Sequence, residues 1–155
     1  PFAPNGITAA LPHLTPNDRK VLAKLVEASR IIDGIFLRQM WTQNPSLLVE
    51  LAGDDSPEGR ARLHYFLLNK GPWSNLDDNA PFVAGAPAKP PGAGFYPADT
   101  TKEKMESWMK SLPPNEQEKA RGFFTVIRHA GENFTTVPYR LEYQSELLQA
   151  APLCR

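Results

Sequence analysis

Six prolines and four glycines fall between residues 69 and 97, with helix-forming sequence on both sides. Each proline removes a backbone donor and fixes φ, so almost no helix can form there. Connections of this length without an element of their own are uncommon in compact domains, and those that occur are functional or disordered. Trp73, Phe82, Phe95 and Tyr96 argue for order, because flexible segments are poor in aromatics. The stretch therefore reads as an ordered loop, residues 70–99, pinned by aromatic anchors. Two roles stay open for it: a structural wrap over a helical core, or one wall of a ligand site.

The flanks read as helices with clear start signals. Thr15-Pro16-Asn17-Asp18 joins a capping residue, a first-turn proline and a carboxylate that meets the orphan donors. Val21, Leu25, Ala28, Ile32, Ile35 or Phe36, and Met40 then recur at helical spacing, predicting an amphipathic helix over 15–43. Gly34 at its centre suggests close approach of another segment. Ahead of that helix, residues 1–14 form an extended arm, tacked on by Phe2, Ile7, Leu11 and Leu14. Asn44-Pro45 and Ser56-Pro57-Glu58 open two further helices, the second ended by Gly71-Pro72. Thr100 and Glu103 make a capping box for a helix over 101–110, and Pro113-Pro114 turns into another over about 114–121. Residues 123–128 and 134–137 are rich in aromatic and β-branched residues around a turn at 129–133, predicting a β-hairpin and the only strands. Pro138 opens the last helix. The expectation is a mainly α fold, a single domain over 1–155, with five or six helices around a long Pro/Gly/aromatic loop and one small β-hairpin. The chain opens at Pro1 and stops at Arg155 beside helical sequence, and we expect a piece of a longer polypeptide.

Composition removes several function classes. Seventeen basic and 17 acidic residues give zero formal net charge, so no nucleic-acid footprint shows. No apolar run approaches the ~20 residues that cross a bilayer. The single cysteine, Cys154, excludes an internal disulfide and fits a reducing compartment, the cytoplasm ahead of the periplasm. His13, His64 and His129 are far apart and form no helical ligand pair. His64 reads as a packed helix residue and His129 as a solvated turn residue. No nucleophile elbow occurs, and Gly92-Ala93-Gly94 is no phosphate cradle, because its lysine precedes it and Pro90-Pro91 removes donors. Asp54-Asp55 and Asp77-Asp78 read as solvated turns. No catalytic residue and no metal ligand set is therefore expected in this chain. The surviving candidates are Lys70, Trp73, Lys89, Phe95 and Tyr96, since aromatics beside a rigid extended backbone suit the wall of a cleft that holds an extended ligand.

At these residues the chain resembles a known family. Arg60-Ala61-Arg62-Leu63-His64-Tyr65-Phe66 running into Asn69-Lys70-Gly71-Pro72-Trp73-Ser74 is similar to the N-terminal region of dipeptidyl-peptidase III-like zinc hydrolases. The branch it resembles occurs in bacteria and, fused behind a Nudix domain, in plants. Pro90 through Asp99, Gly122 through Ile127, and Val137-Pro138-Tyr139 match the same region in the same order. Gly94 stands where that pattern has asparagine, so no amide contact is carried over there. The resemblance implies a parent enzyme with a zinc-binding H-E-x-x-x-H helix, a further glutamate ligand and a proton-shuttling glutamate, all downstream and none in this chain. It implies that Zn2+ belongs to the parent and that this chain hydrolyses nothing by itself. Its partners would be the remainder of the same hydrolase chain and a peptide or small-molecule substrate, with no nucleic acid and no membrane. The chain's part would be scaffold and one wall of the interdomain cleft. The rival is a free-standing helical binding module that uses the loop as its recognition surface.

Overall fold

The start signal at Thr15 works as its chemistry dictates. Its side chain accepts from the Asp18 N–H, and Asp18 accepts in return from the Thr15 N–H at 2.9 Å. From there the computed structural model, which describes residues 5–155, runs α1 (Pro16–Met40), α2 (Asn44–Ala52) and α3 (Pro57–Asn69). Two-residue strands β1 (Trp73–Ser74) and β2 (Ala80–Pro81) follow, then α4 (Lys102–Ser111) and α5 (Pro114–Ala120). A hairpin of β3 (Thr125–Ala130) and β4 (Asn133–Pro138) leads into α6 (Tyr139–Glu142), α7 (Gln144–Ala150) and a closing 3-10 turn (Ala151–Cys154). The fold is mainly α, as expected, with seven helices among the described residues rather than five or six.

Where the elements differ from expectation, local chemistry explains it. The last helix is split because Tyr143 leaves the helical region, at φ −116° and ψ 28°, when its ring turns into the core. The hairpin is joined by a second antiparallel pair, β1 with β2, which the sequence reading missed. Asp78 and Asn79 take φ of 46° and 60° in the turn between them, a conformation that these two residue types tolerate better than most. The main hairpin begins at Thr125, two residues later than expected, because the Thr125 hydroxyl bonds to the Lys119 and Gly122 carbonyls and closes off α5. Phe123 and Phe124 are left exposed outside it. The cap of α4 is Thr101, not Thr100: its oxygen accepts from the Lys104 N–H. At α2, Asn44 starts the helix but does not cap it, since its side chain reaches elsewhere.

Three apolar clusters form the core. One joins α4, α5 and the hairpin through Met105, Met109, Ala120, Ile127 and Phe134. A second joins α1, α2 and α3 through Leu37, Leu51 and Phe66. A third joins α1, β3 and Tyr143 through Ile35 and Val126. The long loop supplies side chains to all three: Val83 to the second, Phe95 to the third and Tyr96 to the first. Phe95 and Tyr96 are adjacent at the end of a turn, yet their rings enter different clusters. Val126 and Ile127 of β3 divide between the same two clusters. The N–H of Ile127 donates to the Phe95 carbonyl at 2.8 Å, holding the two stretches together.

The α1 stripe is only half covered. Ala28, Ile35 and Leu37 are buried, but Val21, Leu22, Leu25 and Val26 remain half exposed. Gly34, expected to admit a neighbour, faces open space. Ile7 does not pack at all; the arm is held by the Arg19 side chain, which donates to the Leu11 carbonyl at 2.9 Å. Phe2 lies outside the described residues.

The glycine that does admit a neighbour is Gly94. Its N–H donates to the Gln39 carbonyl at 2.7 Å, and a Cβ there would lie 2.3 Å from the Arg38 carbonyl oxygen. We expect Gly94→Ala to lower stability by about 1–3 kcal/mol, since backbone rather than a flexible side chain must give way. Gly34→Ala, in an open helical position, should raise it by about 0.5–1 kcal/mol. Thermal unfolding of the two variants beside the parent sequence checks both signs.

Candidate functional site

The five candidate residues come from one loop but go to different places. Trp73 is 2% exposed, crosses Trp41 edge-on at 5.2 Å between ring centres, and donates its indole N–H to the Pro87 carbonyl at 2.8 Å. Lys70 takes the left-handed conformation that caps α3, at φ 55°, and its Nζ lies 2.7 Å from Asp33 Oδ2 on α1. Lys89 donates to Asn79 Oδ1 at 2.8 Å and so ties the loop to its own β-turn. Phe95 packs on the cluster of Ile35, Val126 and Tyr143. Tyr96 packs beside Met105 and Met109 and also borders a cavity. Only Tyr96, among the five, lines that space.

The cavity measures about 600 Å³ and opens between loop residues 90–98 and the side of α4 that carries Met105 and Met109. This is within the size range of small-molecule sites, ~300–1,000 Å³. Pro90, Pro91 and Pro97 form rigid walls, Met105 and Met109 an apolar floor, and Lys102, Glu106, Lys110 and Arg121 the charged rim. By spacing, Met105 and Met109 belong on an ordinary core face of a helix. Both are buried from solvent, and both also border the cavity. Their i, i+4 spacing on a helix facing a proline-rich loop was the available signal. A second, smaller groove lies along α1, where Ile32 and Phe36 face Tyr139 and Leu147.

Polar residues that carried no motif fix this geometry. Asn44 is fully buried and donates from Nδ2 to the Leu37 and Lys70 carbonyls, each at 2.9 Å, joining the ends of α1 and α3. Arg128 donates to the Gly94 carbonyl at 3.1 Å and pairs with Glu142 at 2.6 Å. Arg38 pairs with Glu146, donates to the Glu142 carbonyl and lies over the Tyr143 ring at 5.0 Å. Burial pushes the Tyr143 phenol up from its ordinary range, with the Gln39 hydrogen bond opposing it.

The histidines also differ from expectation. His64 is exposed on α3 rather than packed. His129 lies in β3 rather than in the turn, with Nε2 2.8 Å from Asp99 Oδ1 and its ring against Phe134. This pair clips the hairpin to the end of the loop. Among the described residues, no three His, Cys, Asp or Glu side chains gather into a group that could hold a metal ion. None of the described helices is long and apolar enough to cross a membrane.

The hydrogen bond from His129 is the main cause that holds the Asp99 carboxyl below its ordinary value of 3.8, with a backbone N–H adding to it. A carboxylate depressed on folding stabilises the fold above its unfolded value. That contribution is lost as pH falls through the folded value. We therefore expect Asp99→Asn to lower the thermal midpoint at neutral pH, with the difference from the parent sequence closing below pH 3.8. Scans on either side of that value check it.

With this geometry established, comparison with known proteins gives three matches. No protein-family model matches the chain. Nudix hydrolase 3 of Arabidopsis thaliana is 32% identical over 160 aligned positions, which take in 84% of this chain and 21% of the plant protein. The structure of dipeptidyl-peptidase III from Corallococcus sp. strain EGB superposes with a TM-score of 0.94 at 48% identity, over 98% of this chain and 28% of that one. The structure of dipeptidyl-peptidase III from Caldithrix abyssi gives 0.91 at 35% identity, over 98% of this chain and 29% of that one. The chain thus spans between about a fifth and a third of the length of these relatives, and is similar in sequence and fold to one segment of the two dipeptidyl-peptidase III structures.

Proposed function

We propose that this segment, alike in fold to part of dipeptidyl-peptidase III, is the non-catalytic helical scaffold of a larger zinc-dependent hydrolase and forms one wall of its peptide-binding cleft. The observation that carries the scaffold reading is the uncovered stripe of α1. Val21, Leu22, Leu25 and Val26 form an apolar strip that runs on through Ile32 and Phe36 into the groove beside Tyr139. Exposed apolar patches of this kind mark surfaces that another body covers. The two dipeptidyl-peptidase III structures are about three and a half times longer than the segment they match, which supports the remainder of the same hydrolase chain as that body. The 1–155 chain acts in this reading as one helical unit.

The cleft wall is assigned to the 70–99 loop. Trp73, Lys70, Lys89 and Phe95 hold its shape, and Tyr96 offers the accessible face. Zinc belongs to the parent enzyme in this reading. The side chains described here supply no ligand set for it, so none of the metal's chemistry runs through them.

Leu25→Asp tests the scaffold reading. In the whole protein it would place an uncompensated charge inside an interface, and we expect the thermal midpoint to fall steeply. In the isolated chain, where Leu25 is already half exposed, the same change should leave the midpoint nearly unchanged. Equal behaviour in the two contexts would remove the scaffold reading. It would favour the free-standing helical binding module, whose recognition surface is the loop and whose fold needs nothing to cover the stripe. Tyr96→Ala in the whole protein tests the cleft wall: a raised KM for peptide hydrolysis with unchanged zinc content supports it, and unchanged kinetics refutes it.

A further inference from the structure

The cavity beside α4 has an apolar interior and a mouth with unbalanced charge. Lys102 is engaged by Glu106 at 3.8 Å. The Lys110 and Arg121 side chains, which border the same space, have no ion pair or hydrogen bond among the described residues. Three cations and one carboxylate therefore surround the opening, and the two cations left over have no ionic partner among the described residues. Inside, Met105 and Met109 offer soft side chains that adapt to an apolar shape, while Tyr96 and the prolines give fixed walls. A site built from rigid backbone loses little entropy on occupation.

We propose that this cavity binds a small apolar molecule that carries one carboxylate. Its hydrocarbon body lies against Tyr96, Met105 and Met109, and its carboxylate faces Lys110 and Arg121. Charge complementarity selects the anion, because a neutral molecule of the same shape would leave both cations as they are. A cationic one would be repelled. The inference goes beyond the scaffold and cleft-wall reading and does not rest on it: volume, apolar floor and the two unpaired cations carry it whatever the parent protein catalyses.

Decanoate is the probe, titrated into the whole protein by calorimetry, with decanol and decyltrimethylammonium as matched neutral and cationic tails. We expect saturable one-site binding of decanoate, weaker by about tenfold or more for the other two and for the Lys110→Ala/Arg121→Ala variant. Both substituted residues are exposed, so the variant should keep the thermal midpoint of the parent sequence. The position is read separately from methionine methyl resonances. Met40, Met105 and Met109 are the three methionines of this chain. Met105 and Met109 should shift on titration and Met40 should not. Absence of saturable decanoate binding would overturn the proposal, as would equal affinity for decanol, undiminished binding in the double variant, or binding that leaves Met105 and Met109 unmoved. A cavity already filled by another part of the parent chain would give the first of these results.

Discussion

Two adjacent residues, Gly94 and Phe95, hold the two halves of this structure together through their backbone groups. The Gly94 N–H donates to the Gln39 carbonyl near the end of α1, and the Gly94 carbonyl accepts from Arg128 on β3. The Phe95 carbonyl accepts from the Ile127 N–H, also on β3. Three hydrogen bonds thus join a helix end, a loop and a hairpin within two residues. Each satisfies a backbone group that would be costly to leave unpaired when buried. The absence of a Cβ at position 94 is what allows the loop so near the helix. Around this point Arg38 and Arg128 reach Glu146 and Glu142, so the ionic contacts reinforce the same junction. These pairs are only partly exposed and hydrogen-bonded to backbone as well, a setting in which ion pairs count for more than at an open surface.

Much of the architecture was legible because it rests on local chemistry. Thr15, Ser56 and the prolines beside them mark helix starts whose capping bonds involve residues three positions apart. Helical spacing located the apolar stripes, and the loop stood out by its prolines. What could not be read depends on partners far apart in sequence. Asn44 looked like a cap because of Pro45, yet its side chain bonds to carbonyls 7 and 26 residues away. The α1 stripe looked like a core face along its whole length. Periodicity reports which side of a helix is apolar, not whether anything in the same chain covers it. Phe123 and Phe124 have strand composition but lie just outside the ladder, because a threonine hydroxyl ends the preceding helix first.

The candidate site was legible in its boundaries more than in its members. Loop composition drew attention to residues 69–97, and the cavity does lie against that loop. The aromatic residues chosen there divide by surroundings: Trp73 and Phe95 are turned inward, while Tyr96 also meets open space. Helix α4 forms the other wall, so half of the cavity comes from a segment in which methionines at helical spacing read as ordinary core. A pocket between two elements is a property of their packing, and neither element's sequence displays it alone.

The alternation at Phe95 and Tyr96, matched by Val126 and Ile127, bears on how this piece of protein can move. Each pair spreads its side chains over two separate cores, with one backbone bond between the pairs. To swing α4 and α5 against α1, the chain would have to lift a ring from its seat or break that bond. The loop at residues 95 and 96 thus ties the two cores to each other. What composition marks as the most irregular stretch of the chain is, mechanically, its axle.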